Sequence, residues 1–545
     1  MLYPRPQFQR DSCFLLDGEW HLETEHAAGS IIVPFSPETV LSGFPVQEEQ
    51  IKHSVYTKEF SIPDSFNGKR IILNFIAVDQ CCEVFINGHF AFSHEGGYLP
   101  FSGEISQFIT ADETVRIRVE VTDMLDSTGF GYGKQSLNPK GIWYHEQSGI
   151  WQSVWLEAVP FSFIQSVWIN PGEDLSSVEI TAFSELDEQL SIELDGSIIK
   201  AIANHPVKIQ IANPHLWSPE DPYLYYFTMN LGDDTVRSYF GLRRFEVVSQ
   251  RLHLNGKPYF HTGVLDQGYW KDSLYTPPSD QAMLDDILMV KQMGFNVIRK
   301  HIKVENPRWY YYCDLLGMLV WQDLPSGGTP YRKAVITIPA VIDFSLKDSH
   351  YSLFGRKEQT SRNNCINELR EMITALHNCT CIAMWVPFNE GWGQFDSSQI
   401  EKIIRTIDSS RTIDNASGWH DQKAGQFRSL HVYFKPFEFK ADKYSRAVIL
   451  SEFGGLNCGI PGHSSNVNFG YSKQENQKAL QDSITALYKD HIIPAAQSGL
   501  SGSIYTQLSD VETELNGLVT FDRKVVKIMP EAMNELNQML RRALS

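Results

Sequence analysis

The 545-residue sequence nowhere contains about 18 consecutive apolar residues, the length a membrane-crossing helix requires. It opens Met1-Leu2-Tyr3-Pro4-Arg5-Pro6, without the charged-then-apolar pattern of a secretory leader. No membrane partner is expected, and the chain as given reads as cytoplasmic. Basic residues are in deficit, 47 Lys plus Arg against 65 Asp plus Glu, for a net charge of −18. With no basic run to interrupt that balance, nucleic acid and anionic lipid are excluded as partners. Cysteine is scarce: the eight residues, with Cys81-Cys82 adjacent and Cys379-Thr380-Cys381 close, form neither a disulfide framework nor paired C-x2-C motifs. They read as reduced, mostly buried thiols. No set of candidate ligands has convincing spacing, so neither a metal nor another cofactor is expected.

What is abundant is core-forming material: 42% of residues are hydrophobic and 12% aromatic, which at this length suits about three domains. Residues 1–160 carry short β-like runs separated by turn residues, with Val84-Phe85-Ile86 followed by Asn87-Gly88 as a hairpin signal. A second all-β stretch, 161–248, alternates in Ser191-Ile192-Glu193-Leu194-Asp195 and reads as strand again at Tyr223-Leu224-Tyr225-Tyr226-Phe227. Its length suits an immunoglobulin-like sandwich.

From 249 to 545 apolar strand-like runs alternate with amphipathic helices, the mark of parallel βα units. Strands are expected at Tyr259 to Val264, Phe295 to Arg299, Gly317 to Trp321, Cys381 to Trp385, Thr412 to Ala416, Leu430 to Tyr433, Ala447 to Leu450 and Gly502 to Tyr505. Eight such strands in under about 300 residues make one (β/α)8 TIM barrel. Ser279 is the expected N-cap of a helix that buries Met283, Ile287 and Val290. The stretch from Pro325 to Gln359 is longer than a usual βα connection and is expected to shape a substrate pocket.

Barrels of this kind assemble their active sites at the C-terminal ends of the strands. Glu390 follows the fourth strand, and Glu452, 62 residues later, follows the seventh. One such Glu is ordinarily a solvated surface residue, but two on one barrel face support chemistry. One carboxyl can protonate the leaving oxygen of an acetal while the other attacks the anomeric carbon or activates water. A separation of about 5–5.5 Å gives retention, and a larger one inversion. Near other strand ends stand Asp266, Gln267, Arg299, His301, Asp323, Trp419, His431, Tyr433, Tyr505 and Gln507, candidate sugar contacts for which packing is the alternative. Trp392 is a candidate stacking platform for a pyranose.

At these residues the chain resembles the family 2 glycoside hydrolases, the group containing β-galactosidases, β-glucuronidases and β-mannosidases. The opening Arg5-Pro6-Gln7-Phe8-Gln9-Arg10 with Leu16-Asp17-Gly18-Glu19-Trp20, and the run Ser148-Gly149-Ile150-Trp151-Gln152-Ser153-Val154-Trp155-Leu156-Glu157, are similar to its jelly-roll, sugar-binding-like domain. Leu216-Trp217-Ser218-Pro219-Glu220 and Phe240-Gly241-Leu242-Arg243-Arg244-Phe245 resemble its immunoglobulin-like domain and the exit into the barrel. The resemblance implies that Glu390 is the acid/base, Glu452 the nucleophile and Asn389 a donor or acceptor to the sugar 2-hydroxyl. It also implies that Tyr433 hydrogen-bonds the nucleophile and that Arg299 orients it, with an Arg bracing the barrel as the alternative.

The chain departs from its relatives in ways that bear on the sugar. Arg299-Lys300-His301 stands where several members carry Arg-x-Ser-His, and Trp321-Gln322-Asp323-Leu324 lacks the Glu-x-His that supplies magnesium in large β-galactosidases. Members that bind a glucuronate carboxylate commonly carry Asn-x-Lys after strand eight; here Glu514-Leu515-Asn516-Gly517-Leu518-Val519 has no lysine. β-Mannosidase-like members tend to have Gly-Asn-Asn-Glu where this chain has Val386-Pro387-Phe388-Asn389-Glu390, although Trp321-Gln322-Asp323 is similar to that branch. The expected function is a retaining exo-β-glycosidase acting by double displacement on a non-reducing-end hexose, with β-galactoside as the first guess. The alternatives are β-glucuronidase-type and β-mannosidase- or β-glucosidase-type specificity. A non-catalytic glycan-binding protein is the rival of another class, and the presence of both Glu residues disfavours it. Homo-oligomerisation is left open, and Tyr98, Phe101, Phe130 and Tyr132 are candidate rim aromatics whose alternative is ordinary packing.

Overall fold

The computed structural model describes residues 3–45, 49–110, 114–125, 129–342, 344–465 and 469–543. The first sandwich packs a four-stranded sheet (Cys13–Leu15, Val154–Val159, Arg70–Phe75, Phe101–Glu104) on a six-stranded one. Strand Thr114–Thr122 shows why: Val115, Ile117, Val119 and Val121 point inward and the alternate residues outward, the period of a half-buried antiparallel strand. The hairpin at Asn87-Gly88 is present, with φ of 50° and 83°, the pair of left-handed residues that a tight hairpin turn demands. The second sandwich is smaller, a three-stranded sheet facing a four-stranded one around Ile180, Ile192, Phe227, Met229 and Val236. Its strand Tyr225–Leu231 begins two residues later than the alternation suggests.

A buried ion cluster joins the two sandwiches. Arg10 NH1 contacts Glu157 of the first at 2.7 Å, and its NH2 contacts Asp234 of the second at 2.9 Å, all three side chains being at most 3% exposed. Burial opposes ionisation of Glu157, but Arg5 and Arg10 overcome it and hold the carboxyl at about 2.

The barrel strands are β1 (His261–Asp266), β2 (Val297–Lys300), β3 (Leu319–Asp323), β4 (Ile382–Val386), β5 (Thr412–Ile413), β6 (Phe427–Val432), β7 (Ala447–Gly454) and β8 (Leu500–Thr506). Their order, β5-β4-β3-β2-β1-β8-β7-β6, closes the barrel except at one seam. Among the described residues no backbone ladder joins β5 to β6; side chains bridge them instead, Gln426 Oε1 accepting from Ile413 N at 3.1 Å and Ser429 Oγ donating to Asp414 at 2.7 Å. Strands β1, β2, β3, β4 and β8 run one or two residues past the apolar runs that mark them in sequence, and β7 runs four past, so Asp266, Asp323 and Glu452 lie inside strands rather than after them. Ladder bonding is indifferent to side-chain polarity, and these inward carboxylates are matched by buried cations, Lys300 for Asp266 and Arg299 for Asp323 and Glu452. Ser279 caps the helix Asp280–Gln292 by accepting from Ala282 N, and Met283, Ile287 and Val290 are buried as expected. None of the described helices is long and apolar enough to cross a membrane.

Replacing Arg10 by Ala strands the buried Asp234 and leaves Glu157 with Arg5 alone, and should cost about 3–5 kcal/mol, read from the urea midpoint at neutral pH. Because the Glu157 pKa is depressed, its share of that stability is present above the unfolded value of about 4.3 and is lost as pH falls toward about 2. A midpoint unmoved by the substitution at pH 7 would refute the coupling.

Candidate active site

Two backbone irregularities aim the carboxylates. Beyond β4 the chain turns sharply, Glu390 taking φ of 51° and Gly391 77°, while Glu390 N bonds Ser417 O at 2.9 Å. A non-glycine residue in the left-handed region costs roughly 1–3 kcal/mol and persists where its surroundings over-determine it. Gly391 cannot be replaced without a shift, since a Cβ there would stand 2.4 Å from the His420 ring. On β7 the register with β8 breaks between Leu450 and Phe453, and the register with β6 breaks between Leu430 and His431; such bulges re-aim a side chain, here Glu452.

The two Glu side chains face one another, with His431 between them and one donor atom from each of the three lying within 4.8 Å of the others. His431 Nδ1 is 2.7 Å from Glu390 Oε1, and its Nε2 is 3.6 Å from Glu452 Oε1. Arg299 donates from NH1 to Glu452 Oε1 at 3.1 Å and from NH2 to Asn389 Oδ1 at 2.9 Å, and it forks onto Asp323. The Tyr433 hydroxyl donates to Glu452 Oε2. Burial disfavours the charge on both carboxyls, with opposite outcomes. At Glu390 burial dominates the hydrogen bond from His431 and pushes the pKa up. At Glu452 the charges of His431, Arg299 and His301 and the Tyr433 hydrogen bond overcome burial and hold the pKa at about 2.

A small cavity opens over this pair. Of the residues expected from sequence, Asn389, Glu390, Glu452, His301, Tyr433 and Trp392 line it. The others stand behind or beside it. Asp323 binds Arg299 and His301, Asp266 is paired with Lys300, and Gln267 is spent on Gln507, which in turn holds Asn516. Tyr505 packs edge-on against Phe453, and Trp419 edge-on against His431. All were expected as sugar contacts; for Asp323, Asp266, Gln267 and Gln507 a buried polar group must find a partner, and their neighbours supply it before a ligand does. Arg299 and His431 have no exposed side-chain surface and act through the carboxylates they touch.

Six lining residues lie outside that expectation: Lys134, Ile142, Leu265, Tyr471, Thr506 and Glu514. Lys134 and Ile142 come from the first sandwich, Tyr471 stacks on Tyr433 at 4.1 Å, and Glu514 accepts from the Tyr144 hydroxyl. Glu514 and Asn516, in the segment that lacks the lysine, stand at and behind the cavity wall. No local pattern marks any of them.

Comparison with known proteins matches residues 245–540 to the family model described as Glycosyl hydrolases family 2, TIM barrel domain. Residues 32–160 match the sugar binding domain of that family, and 165–243 its remaining model. The chain belongs to glycoside hydrolase family 2. It is 28% identical over 470 residues to a putative beta-glucuronidase of Formosa agariphila, covering 77% of this chain and 52% of that protein. Against a beta-galactosidase of Halalkalibacterium halodurans it is 26% identical over 421 residues, covering 70% of this chain and 38% of that protein. The chain thus spans about half or less of the length of these relatives. The fold superposes on a beta-D-glucuronidase of Dictyoglomus thermophilum with a TM-score of 0.77 at 19% identity, over 99% of this chain and 98% of the other.

In this family 2 chain three segments build or back the pocket wall. Trp392 stacks on Trp143 of the first sandwich at 4.8 Å and on Tyr331 of the long insertion at 5.9 Å, so neighbouring aromatics already cover part of the expected platform. Tyr132 stacks on Tyr331 as well, whereas Tyr98 packs on Trp151, Phe101 on Phe75 and His94, and Phe130 is half-buried. Through Tyr331 the insertion reaches Trp392, which lines the pocket, but none of its own residues is in the lining. Arg356, 1% exposed, ties it down by donating from NH1 to Gly129 O at 2.7 Å and to Ser361 O at 3.0 Å. His420 holds its middle, accepting from Leu346 N and donating to Val335 O. Charge-assisted hydrogen bonds of this kind are worth about 1.5–3 kcal/mol each. Arg356→Ala should therefore speed tryptic cleavage within 325–359 by more than about tenfold, since local opening governs proteolysis; an unchanged digestion rate at Lys333 and Lys347 would count against the tie.

Proposed function

We propose that this chain is a retaining exo-β-glycosidase in which Glu390 is the general acid/base and Glu452 the nucleophile. The observation that carries the proposal is the facing pair itself, carboxylate oxygens within 4.8 Å with one pKa raised and the other depressed. That spacing fits the about 5–5.5 Å of double displacement and not the 6.5–9.5 Å that leaves room for a water. Protonated Glu390 gives its proton to the leaving oxygen as the bond to the anomeric carbon breaks. Ionised Glu452 forms a covalent bond to that carbon from the opposite face. Glu390, now a base, takes a proton from water, which displaces Glu452 and restores the β configuration. Asn389 has its Oδ1 bound to Arg299, which leaves its amide N–H to meet the 2-hydroxyl.

For the sugar, the galactoside guess gives way to a β-hexuronide. The putative beta-glucuronidase is the more similar of the two relatives above, and the superposing structure is titled a beta-D-glucuronidase. A β-galactoside is the second reading, favoured by the beta-galactosidase relative. No metal step is proposed, because the three atoms that could ring a cation belong to Glu390, His431 and Glu452, whose proton chemistry the mechanism needs free.

The assignment is tested with a panel of aryl β-glycosides. In Glu390→Ala, activated substrates should still glycosylate the enzyme, and azide should accelerate turnover to the β-azide; in Glu452→Ala azide should give the α-azide. Swapped products would reverse the roles. Activity should survive exhaustive chelation, and restoration by magnesium after a loss would refute the metal-free reading.

The pH profile follows from the two shifts. A raised Glu390 pKa keeps its acid function until pH rises through that value, so the alkaline limb of kcat/KM belongs to it and should vanish in Glu390→Ala with an activated substrate. A Glu452 pKa of about 2 leaves the nucleophile ionised across the working range. Tyr433→Phe removes one donor to the ionised form, raises that pKa and should move the acid limb upward, with kcat falling by about tenfold to a hundredfold. An acid limb that does not move would separate Tyr433 from the nucleophile's ionisation.

A further inference from the structure

Four lysines are buried among the described residues: Lys134, Lys300, Lys303 and Lys527. Three of them meet carboxylates. Lys300 pairs with Asp266 and Glu305, Lys303 with Glu305, and Lys527 with Asp510. Lys134, 6% exposed, is the exception: among the described residues its Nζ has no carboxylate within ion-pair distance and donates no hydrogen bond. It lies over the faces of Tyr144 at 5.5 Å and Trp392 at 5.7 Å, contacts worth less than an ion pair. A cation at the cavity wall with no anion at its side is placed to receive a ligand that completes it.

Its position is fixed by backbone. Gly133 has φ of 66° and approaches so closely that a Cβ would stand 2.6 Å from the Tyr275 hydroxyl and 2.8 Å from that of Tyr98. Tyr144 N donates to Lys134 O, and Gln135 Nε2 bonds Asp79 and Tyr98. Lys134 thus enters the cavity over Glu390 and Glu452 from the sandwich side, and it is the one lysine or arginine in the described lining. Its charge is felt at both Glu390 and His301. The wall opposing an anionic sugar is strongly acidic: Glu390, Glu452 and Glu514 all line the cavity. The segment after β8, Asn516-Gly517-Leu518, offers no cation, and Lys527 behind it is committed to Asp510.

We propose that Lys134 is the counter-ion for an exocyclic carboxylate on the sugar, so that the choice of a hexuronide over a neutral hexose is made by a loop of the first sandwich rather than by the barrel. This rests on the glycosidase reading above. A carboxylate at C5 that did not reach this ammonium would be left facing the ionised Glu452, and like-charge contact of that kind rejects a ligand.

The test compares wild type, Lys134→Met and Lys134→Arg on nitrophenyl β-glucuronide and β-galacturonide against the matching β-glucoside and β-galactoside, with thermal melts confirming that each variant is folded. In wild type the uronides should be preferred. Lys134→Met should lose at least about thirtyfold in kcat/KM on the preferred uronide, mostly through KM, while changing its activity on the neutral sugar by severalfold at most. Lys134→Arg should retain the preference. Equal losses on both sugars, or a wild type that prefers the neutral one, overturn the proposal and leave the glycosidase reading standing. If wild type cleaves none of the four, that reading fails, and calorimetry with D-glucuronate and D-glucose decides on Lys134. Tighter binding of glucuronate by wild type that is lost in Lys134→Met supports the counter-ion; equal binding of the two sugars sinks it.

Discussion

A guanidinium with no exposed surface sits near the mouth of the barrel, and the candidate site is organised around satisfying it. Arg299, on β2, forks onto Asp323 of β3, donates to the carbonyl of Ser451 and the carboxylate of Glu452 on β7, and reaches Asn389 beyond β4. A buried charge that lost any of these partners would cost several kcal/mol, so four strands are held at one spacing. The consequences are chemical as well as mechanical. The same contacts keep Glu452 ionised and fix which face of the Asn389 amide points into the cavity.

The open seam between β5 and β6 has its own effect. Where backbone ladders close the rest of the barrel, side chains close this gap, and among them Ser417 Oγ meets His431 Nε2 at 3.1 Å. That contact helps set the imidazole between Glu390 and Glu452, beside both carboxyls whose pKa values diverge. A weak strand, only two residues long, is therefore adjacent to the most polar part of the interior.

The pocket, by contrast, is not a property of the barrel alone. Its wall takes Lys134 and Ile142 from the first sandwich, Trp143 of that sandwich and Tyr331 of the insertion after β3 back the lining residue Trp392, and Arg356 fastens that insertion to both bodies. The sandwich is consequently more than a support. It contributes lining side chains to the cavity in which the two carboxyls stand.

The strand-end carboxylates were legible in sequence because a barrel converts a one-dimensional regularity, apolar run followed by polar residue, into a ring of side chains at one face. The three-part architecture was legible for the same reason, each part having its own period. Glu390, Glu452, Arg299 and Tyr433 could be named in this way and Asn389 through the family resemblance, and all five converge. What tertiary structure alone decided was direction and partnership. His431, Asp323 and Asp266 read alike as polar residues near strand ends, yet one bridges the carboxyls, one braces Arg299 and one neutralises Lys300. Lys134 and Trp143 carried no signal at all, because residues more than 240 positions before Glu390 meet it only through domain packing, and packing between domains leaves no period in the chain.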